Sequence, residues 1–297
     1  MKITMMKNPM MAIAAGLLVF AFATAATPAP TPTPEPAETP SPQRVLGLIR
    51  AKFRSHRPPP AFVSYTIERK QKTDRGFPDF AESYTDKVWV RSLDRAALGR
   101  RVYPYGGLGP ANFQRPAFNE DRDPGPPTAD VFEPAPPKKT KISDVPTPEP
   151  APQPTATLIT IGSTVTTGEY DYYVDDLKVE GDQVHLFLRA VRDPERNRLH
   201  EVFADKGSYE VTRLIAHDRL FDEGSRKIYD TTFDIRIGML EGRPVVTSIH
   251  GVVGDGYEGD GKDVDYQFRD IKFPATMPDW YFDARSYASH LNDLPTK

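Results

Sequence analysis

The 297-residue sequence predicts an α+β fold, a strongly curved antiparallel sheet with N- and C-terminal helices packed on it. Three observations carry that reading. From about Leu158 to Phe273 one strand pattern follows another with almost no helical interruption. A segment with helical spacing of its apolar residues precedes the strands, and a second follows them. A run of antiparallel strands this long curls into a barrel, half-barrel or sandwich, because a large sheet twists and must bury its apolar face.

The N-terminus reads as an export signal. Lys2 and Lys7 form a positive n-region, Met10 to Ala23 an apolar stretch, and Ala23-Thr24-Ala25 a small-residue cleavage site. Residues 1–25 are thus expected to be a signal peptide that delivers the chain to the periplasm or the exterior. The rival reading is an uncleaved anchor. Against it, the apolar stretch is short beside the roughly 20 residues of a spanning helix, and no basic stop-transfer flank follows. Membrane association would come through this segment alone, if it stays uncleaved. The chain has no cysteine, which excludes a lipoprotein anchored at an N-terminal Cys and any disulfide, so the fold must rest on its hydrophobic core.

Residues 26–42 hold seven of the 31 prolines, mostly as Thr-Pro and Ala-Pro pairs. They are expected to form a polyproline II linker of roughly 50 Å. Residues 43–297 then read as a single domain. Its first element is a helix with Ser41 as N-cap and Pro42 at the first position. Val45, Leu46, Ile49 and Phe53 share one face, Arg44, Arg50, Lys52 and Arg54 decorate the others, and Pro58-Pro59-Pro60 ends it. Packing on the sheet is favoured over lying on a membrane surface.

Strands are expected at Phe62–Lys72, Glu82–Ser92 and Ala96–Tyr103, the last two joined at Leu93-Asp94-Arg95. An insertion at 104–154 then carries 14 prolines without periodicity. It is either a disordered excursion or a mobile lid docked by Phe113, Phe118, Val131 and Phe132. Strand patterns resume at Leu158–Val165, Tyr170–Val179 and Val184–Val191, with Gly181-Asp182 as a turn. Leu199–Ala204, Tyr209–Ala216, Ile228–Ile237, Pro244–Val253 and Val264–Phe273 complete the run. Ile228–Ile237 alternates most clearly, with Tyr229, Thr231, Phe233, Ile235 and Ile237 on one face and Asp230, Thr232, Asp234 and Arg236 on the other. In the last strand the apolar parity switches between Phe268 and Ile271, which predicts a bulge near Arg269-Asp270. A C-terminal helix, capped by Thr276 or Asp279, would bury Trp280, Ala284, Tyr287, Ala288 and Leu291, and both helices would close the concave side of the sheet.

The order of these strands carries a family resemblance. Tyr173-Val174-Asp175, Val179-Glu180-Gly181, Val184-His185-Leu186-Phe187-Leu188, Asp193-Pro194, Leu199-His200-Glu201-Val202-Phe203-Ala204-Asp205 and Tyr209-Glu210-Val211 follow one another in a set cadence. That cadence, with the Lys87-Val88-Trp89-Val90-Arg91 strand and the leading helix, resembles the bacterial lipoprotein-sorting proteins of the LolA/LolB-like superfamily. The resemblance spans about two thirds of the mature chain. It implies an eleven-stranded half-barrel whose concave apolar side, lidded by helices, accepts acyl chains. Where the family has a helical lid, this chain has its proline-rich insertion, and the family has no shared catalytic residue to transfer.

The residues themselves point away from catalysis. His200-Glu201 begins like a zincin motif, but Ala204 stands where the second histidine is needed, and the pair falls on a strand. His56, His185, His200, His217, His250 and His290 show no close ligand spacing, so no metal and no cofactor is expected. Neither a Gly-x-Ser-x-Gly elbow nor a Ser-x-x-Lys pair occurs. Asp171, Asp175 and Asp176 read as a solvated edge in preference to an acid/base group, and the acidic loop Gly254–Asp263 as a hairpin connection, its spacing missing the calcium-loop series. The formal charge of −3, moving to −5 once Lys2 and Lys7 leave with the signal, excludes a nucleic-acid partner that needs a basic face.

Two functions follow. In the first, the chain is a non-enzymatic binding protein for a lipid, an acyl chain or a lipidated protein, held on the face carrying Tyr229, Phe233, Ile235 and Ile237. In the second, that face is filled by the helices and the chain is an envelope protein–protein interaction module. The first requires a cavity on the order of 300 Å³ or more; the second a filled core.

Overall fold

The computed structural model describes residues 40–56, 58–72, 76–114, 124–135, 171–222, 227–254 and 263–293. The signal segment 1–25, residues 26–39 of the linker, the strand expected at Leu158–Val165, Phe118 and residues 255–262 of the acidic loop lie outside them.

Helix α1 (Pro42–Ser55) begins as the sequence requires, with Ser41 Oγ accepting from the Arg44 amide at 3.4 Å and Pro42 at the first position. Its apolar stripe goes inward: Val45, Leu46 and Ile49 are buried and Phe53 packs partly buried beside them. Arg50 departs from expectation. It is 5 % exposed, because it lies four residues after Leu46 on the same stripe and sets its guanidinium 5.7 Å from the Phe132 ring centroid.

Eleven strands follow among the described residues: β1 (Phe62–Lys72), β2 (Pro78–Arg91), β3 (Ala96–Val102), β4 (Leu108–Gln114), β5 (Tyr172–Glu180), β6 (Gln183–Ala190), β7 (Leu199–Asp205), β8 (Val211–Asp222), β9 (Lys227–Leu240), β10 (Arg243–Val253) and β11 (Asp263–Lys272). They form one sheet in the order β4-β3-β2-β1-β11-β10-β9-β8-β7-β6-β5, antiparallel throughout. Two meanders, β1–β4 and β5–β11, are thus joined where the first strand pairs with the last. Tight turns need φ > 0, and Glu241-Gly242 supplies it twice in succession between β9 and β10. Strand β4 was not expected. Its sequence holds Gly109 and Pro110, and proline, lacking an N–H, is tolerated only at an edge, which is where β4 lies.

Among the described residues the sheet is open, with β4 and β5 as its edges, and it is bent. Along β11, Asp270 has φ +52° and the partners of Ser64 and Thr66 jump from Lys272 to Arg269, so the bulge sits where the parity switch placed it. Further register shifts interrupt β1–β2, β5–β6, β7–β8 and β9–β10, each bending its strand. A distance argument shows how far the bending goes. In a flat sheet β2 and β7 lie six strand spacings apart, about 29 Å. Yet Glu133 pairs with Arg95 in the β2–β3 turn at 2.7 Å, and two residues later the Ala135 amide donates to the Arg196 carbonyl in the β6–β7 connection at 2.8 Å. Two residues of chain span about 7 Å. Only a curved sheet brings those two ends within reach of one short segment.

The two faces are covered differently. Val63, Tyr65, Val88, Val90 and Ala97 join α1 and residues from β5 to β11 in the main buried cluster. Their neighbours Trp89 and Leu98, pointing the other way by strand alternation, form a second cluster with Tyr281 and Tyr287. The C-terminal segment therefore packs on the opposite face from α1, and does not join it on the concave side as expected. It is also broken: a 3-10 turn at Asp279–Phe282, a single α turn α2 (Ala284–Tyr287) and a 3-10 turn at Ala288–His290. The cap is Asp283, whose carboxylate accepts from the Arg285 and Ser286 amides, in place of Thr276 or Asp279. Trp280 and Tyr287 are packed in, while Ala284, Ala288 and Leu291 stay exposed.

Candidate binding face and its strap

The concave face is apolar because strand alternation sends one parity of each strand inward. On β9 Ile235 is 1 % and Phe233 9 % exposed, Ile237 packs partly buried against the same cluster, and Tyr229 lies half-buried outside it. The structure thus brings three of the four sequence-identified residues together and leaves Tyr229 at the margin. Gly251 on β10 pairs with Phe233, and a Cβ there would stand 2.9 Å from Phe233 Cε1 and 3.0 Å from Val264 Cγ1. The missing side chain is what lets the Phe233 ring lie across β10.

Two covers sit over this face. The first is α1. Its Gln43 also binds the outermost strand, donating from Nε2 to the Tyr172 carbonyl at 3.0 Å and accepting from the Val174 amide at 3.2 Å, so part of the β5 edge is closed. The second is residues 124–135, the described part of the proline-rich insertion. Val131, Phe132 and Ala135 are buried, and the Phe132 ring meets Phe53 edge-on, 5.4 Å between centroids. Pro124, Gly125 and Pro127 are buried as well, and hydrogen bonds tie this strap down. Val246 donates to the Pro127 carbonyl at 2.7 Å, Arg196 Nε and the Ala135 amide bond across at 2.8 Å, and the exposed pairs Arg54–Asp130 and Arg95–Glu133 flank it. Of the four residues proposed to dock a lid, Val131 and Phe132 do so, whereas Phe113 belongs to β4 and packs on Tyr287.

Charged and polar groups on this face are few, and the charged ones are partnered; Thr231 Oγ1, buried on β9, has no hydrogen-bond partner among the described residues. Burial, followed by the neighbouring Arg54, holds the Arg50 guanidinium below its ordinary pKa. Burial pushes the Tyr172 phenol up to about 12 while its oxygen accepts from the Leu199 amide at 3.2 Å. At the far end of β1, the buried Arg69 donates from Nε to the Tyr266 hydroxyl at 3.1 Å and bonds Glu82 and Gln71. Such partners are what a buried guanidinium requires.

With both covers in place, the space an acyl chain would take is filled among the described residues by α1 and the strap. A pocket of about 170 Å³ opens beside the strap, between Phe53, His56, Pro60, Asp130 and Arg243. It is smaller than a hydrocarbon ligand needs, and Arg54, Asp130 and Arg243 are among the residues that line it. The expectation of an open oily hollow is therefore not met in this conformation.

His56 lines that pocket, while several other residues singled out by sequence face away from the concave side. His200 and His217 stack at 3.8 Å on the outer surface. Glu201 turns to His185 at 2.7 Å, and that imidazole lies between Phe187 and Phe203. Asp175 is exposed and held by Arg189 at 3.1 Å, beside a register shift that resets the face of Asp176. None of these groups converges with another on the concave face.

No family model matches the chain, and no curated protein matches it. Among solved structures it is similar to the crystal structure of a LolA superfamily protein from Nitrosomonas europaea, at 12 % sequence identity over 83 % of this chain and 99 % of that one, with a TM-score of 0.41. That is a likeness of fold alone. No helix among the described residues is long and apolar enough to cross a membrane.

Proposed function

We propose that this chain is an exported, non-enzymatic carrier that takes the hydrocarbon chain of a lipid or lipidated protein onto its concave face, against Phe233, Ile235 and Ile237 with Tyr229 at the margin. The observation that carries the reading is the strap. A bent apolar sheet is closed by twelve residues of a proline-rich insertion that form no helix or strand of their own and are held by buried side chains and hydrogen bonds. The magnitudes favour exchange. Re-exposing Val131 and Phe132 costs about 1.5–3 kcal/mol each, while burying fourteen methylenes gains on the order of 11 kcal/mol. A cargo chain can therefore replace the strap.

A second reading is favoured by the filled hollow. If strap and helix never leave, the concave face is simply the core of an interaction module. Displacement of a fluorescent fatty acid, measured across a series of chain lengths, separates the two. The carrier reading expects affinity to climb with chain length and to tighten in Phe132→Ala, which weakens the strap. No displacement by either protein, with a native mass free of co-purified lipid, would leave the interaction module.

A further inference from the structure

We propose that His250, Asp263 and Asp265 form a site for a first-row divalent transition-metal ion on the outer face of the sheet. Strand pairing builds it. His250 on β10 stands opposite Asp265 on β11, and Asp263, two residues before Asp265, points the same way. Val264 and Tyr266, of opposite parity, go into the core and hold the β11 backbone in place. The site is thus independent of any cargo on the concave face.

The donor atoms stand close to ligand spacing, with His250 and Asp265 hydrogen-bonded to each other. His250 Nδ1 lies 2.7 Å from Asp265 Oδ1 and 3.6 Å from Asp263 Oδ1, and the three donors all fall within 4.8 Å of one another. Metal–ligand bonds of about 2.0–2.2 Å in a tetrahedral shell set neighbouring donors about 3.3 Å apart. Small side-chain rotations span that difference.

A second observation concerns Asp263. Its Oδ2 receives Lys72 Nζ at 2.8 Å, but its Oδ1 is closed to solvent and, among the described residues, has no hydrogen-bond partner, the His250 nitrogen standing off at 3.6 Å. A carboxylate oxygen in that condition is costly, and a cation bound between it and the imidazole supplies what it lacks. Two carboxylates against one ammonium leave the cluster anionic. One nitrogen and two oxygens suit zinc, cobalt or manganese better than calcium, which prefers oxygen alone. All three side chains are partly exposed, so an ion can enter and keep water in its remaining positions.

The full chain titrated with Co²⁺ should show one saturable equivalent with visible ligand-field bands, and Zn²⁺ should displace it. His250→Gln and Asp263→Asn should each weaken binding at least tenfold. Lys72→Gln should strengthen it, because the competing ammonium on Asp263 is gone, whereas Asp270→Asn, on the same strand but outside the cluster, should leave it unchanged. Calcium at equal concentration should not compete. Absence of saturable binding to the folded chain, or unchanged binding in the His250→Gln/Asp263→Asn double variant, would overturn the assignment. So would equal competition by calcium.

Discussion

Truncating Phe132 to alanine separates a detachable strap from a piece of the core. The ring is 2 % exposed, meets Phe53 edge-on at 5.4 Å and lies under the Arg50 guanidinium at 5.7 Å. Removing a buried phenylalanine costs about 3–5 kcal/mol, of which the edge contact accounts for about 0.5–1.5 kcal/mol and the cation–π contact for about another 0.5–2 kcal/mol. If residues 124–135 open as a unit, that loss falls on their own closing equilibrium. The amides of Val246, bonded to Pro127, and of Ala135, bonded to Arg196, should then lose about a hundred- to several-thousandfold of their hydrogen-exchange protection. Central amides of β9 and β10 should keep theirs, as should the fluorescence of Trp89 and Trp280, which belong to the cluster on the opposite face. Hydrogen exchange read by mass spectrometry resolves the two groups. Equal loss of protection across strap and sheet would refute the reasoning, since the strap would then be core that merely happens to lack secondary structure.

Other perturbations have equally definite outcomes. Gly251→Ala should destabilise by about 1–3 kcal/mol in urea melts, because the new methyl stands 2.9 Å from Phe233 Cε1, and Phe233→Leu should recover part of the loss. Burial first, and then the stacked His217, lower the His200 pKa, so the fold favours the neutral imidazole. Its contribution to stability is fully present above the ordinary value of 6.5 and declines as pH falls through the lower folded value; NMR titration should place His200 below 6.5, and His217→Gln should raise it only partway. The Arg91 guanidinium and the Ala96 amide hold Asp94 at about 2, below its ordinary 3.8. The stability advantage of the wild type over Asp94→Asn, at most about 1 kcal/mol for so exposed a pair, should be present at pH 7 and vanish as pH falls through 2.

Particular elements show why parts of the fold were legible and others were not. The α1 stripe, the β9 alternation and the β11 bulge are written in the spacing of apolar residues, because each element buries one face and its period follows from backbone geometry alone. Strand β4 and the strap were not, since both lie in a proline-rich stretch whose few apolar residues make no period. Phe132 is recognisable as a dockable aromatic, but nothing local says that it docks. The C-terminal segment is similar: Trp280 and Tyr287 announce burial without saying on which side of the sheet. Arg50 shows the opposite failure. Its charge argues for solvent, and only the tertiary structure brings the Phe132 ring over it and sets Asp171 and Asp130 near enough to favour the buried charge.

Local periodicity therefore determined α1 and the strands outside the proline-rich stretch, and which side of each of those strands is greasy. Proximity was decided by tertiary structure. His250 and Asp265 lie fifteen positions apart and touch only because β10 and β11 pair in one register and not another. Glu133 and Ala135 reach opposite halves of the sheet only because it bends. Contact between residues distant in the chain depends on pairing register and curvature, which are set by the sum of the sheet's packing and by no single stretch of sequence.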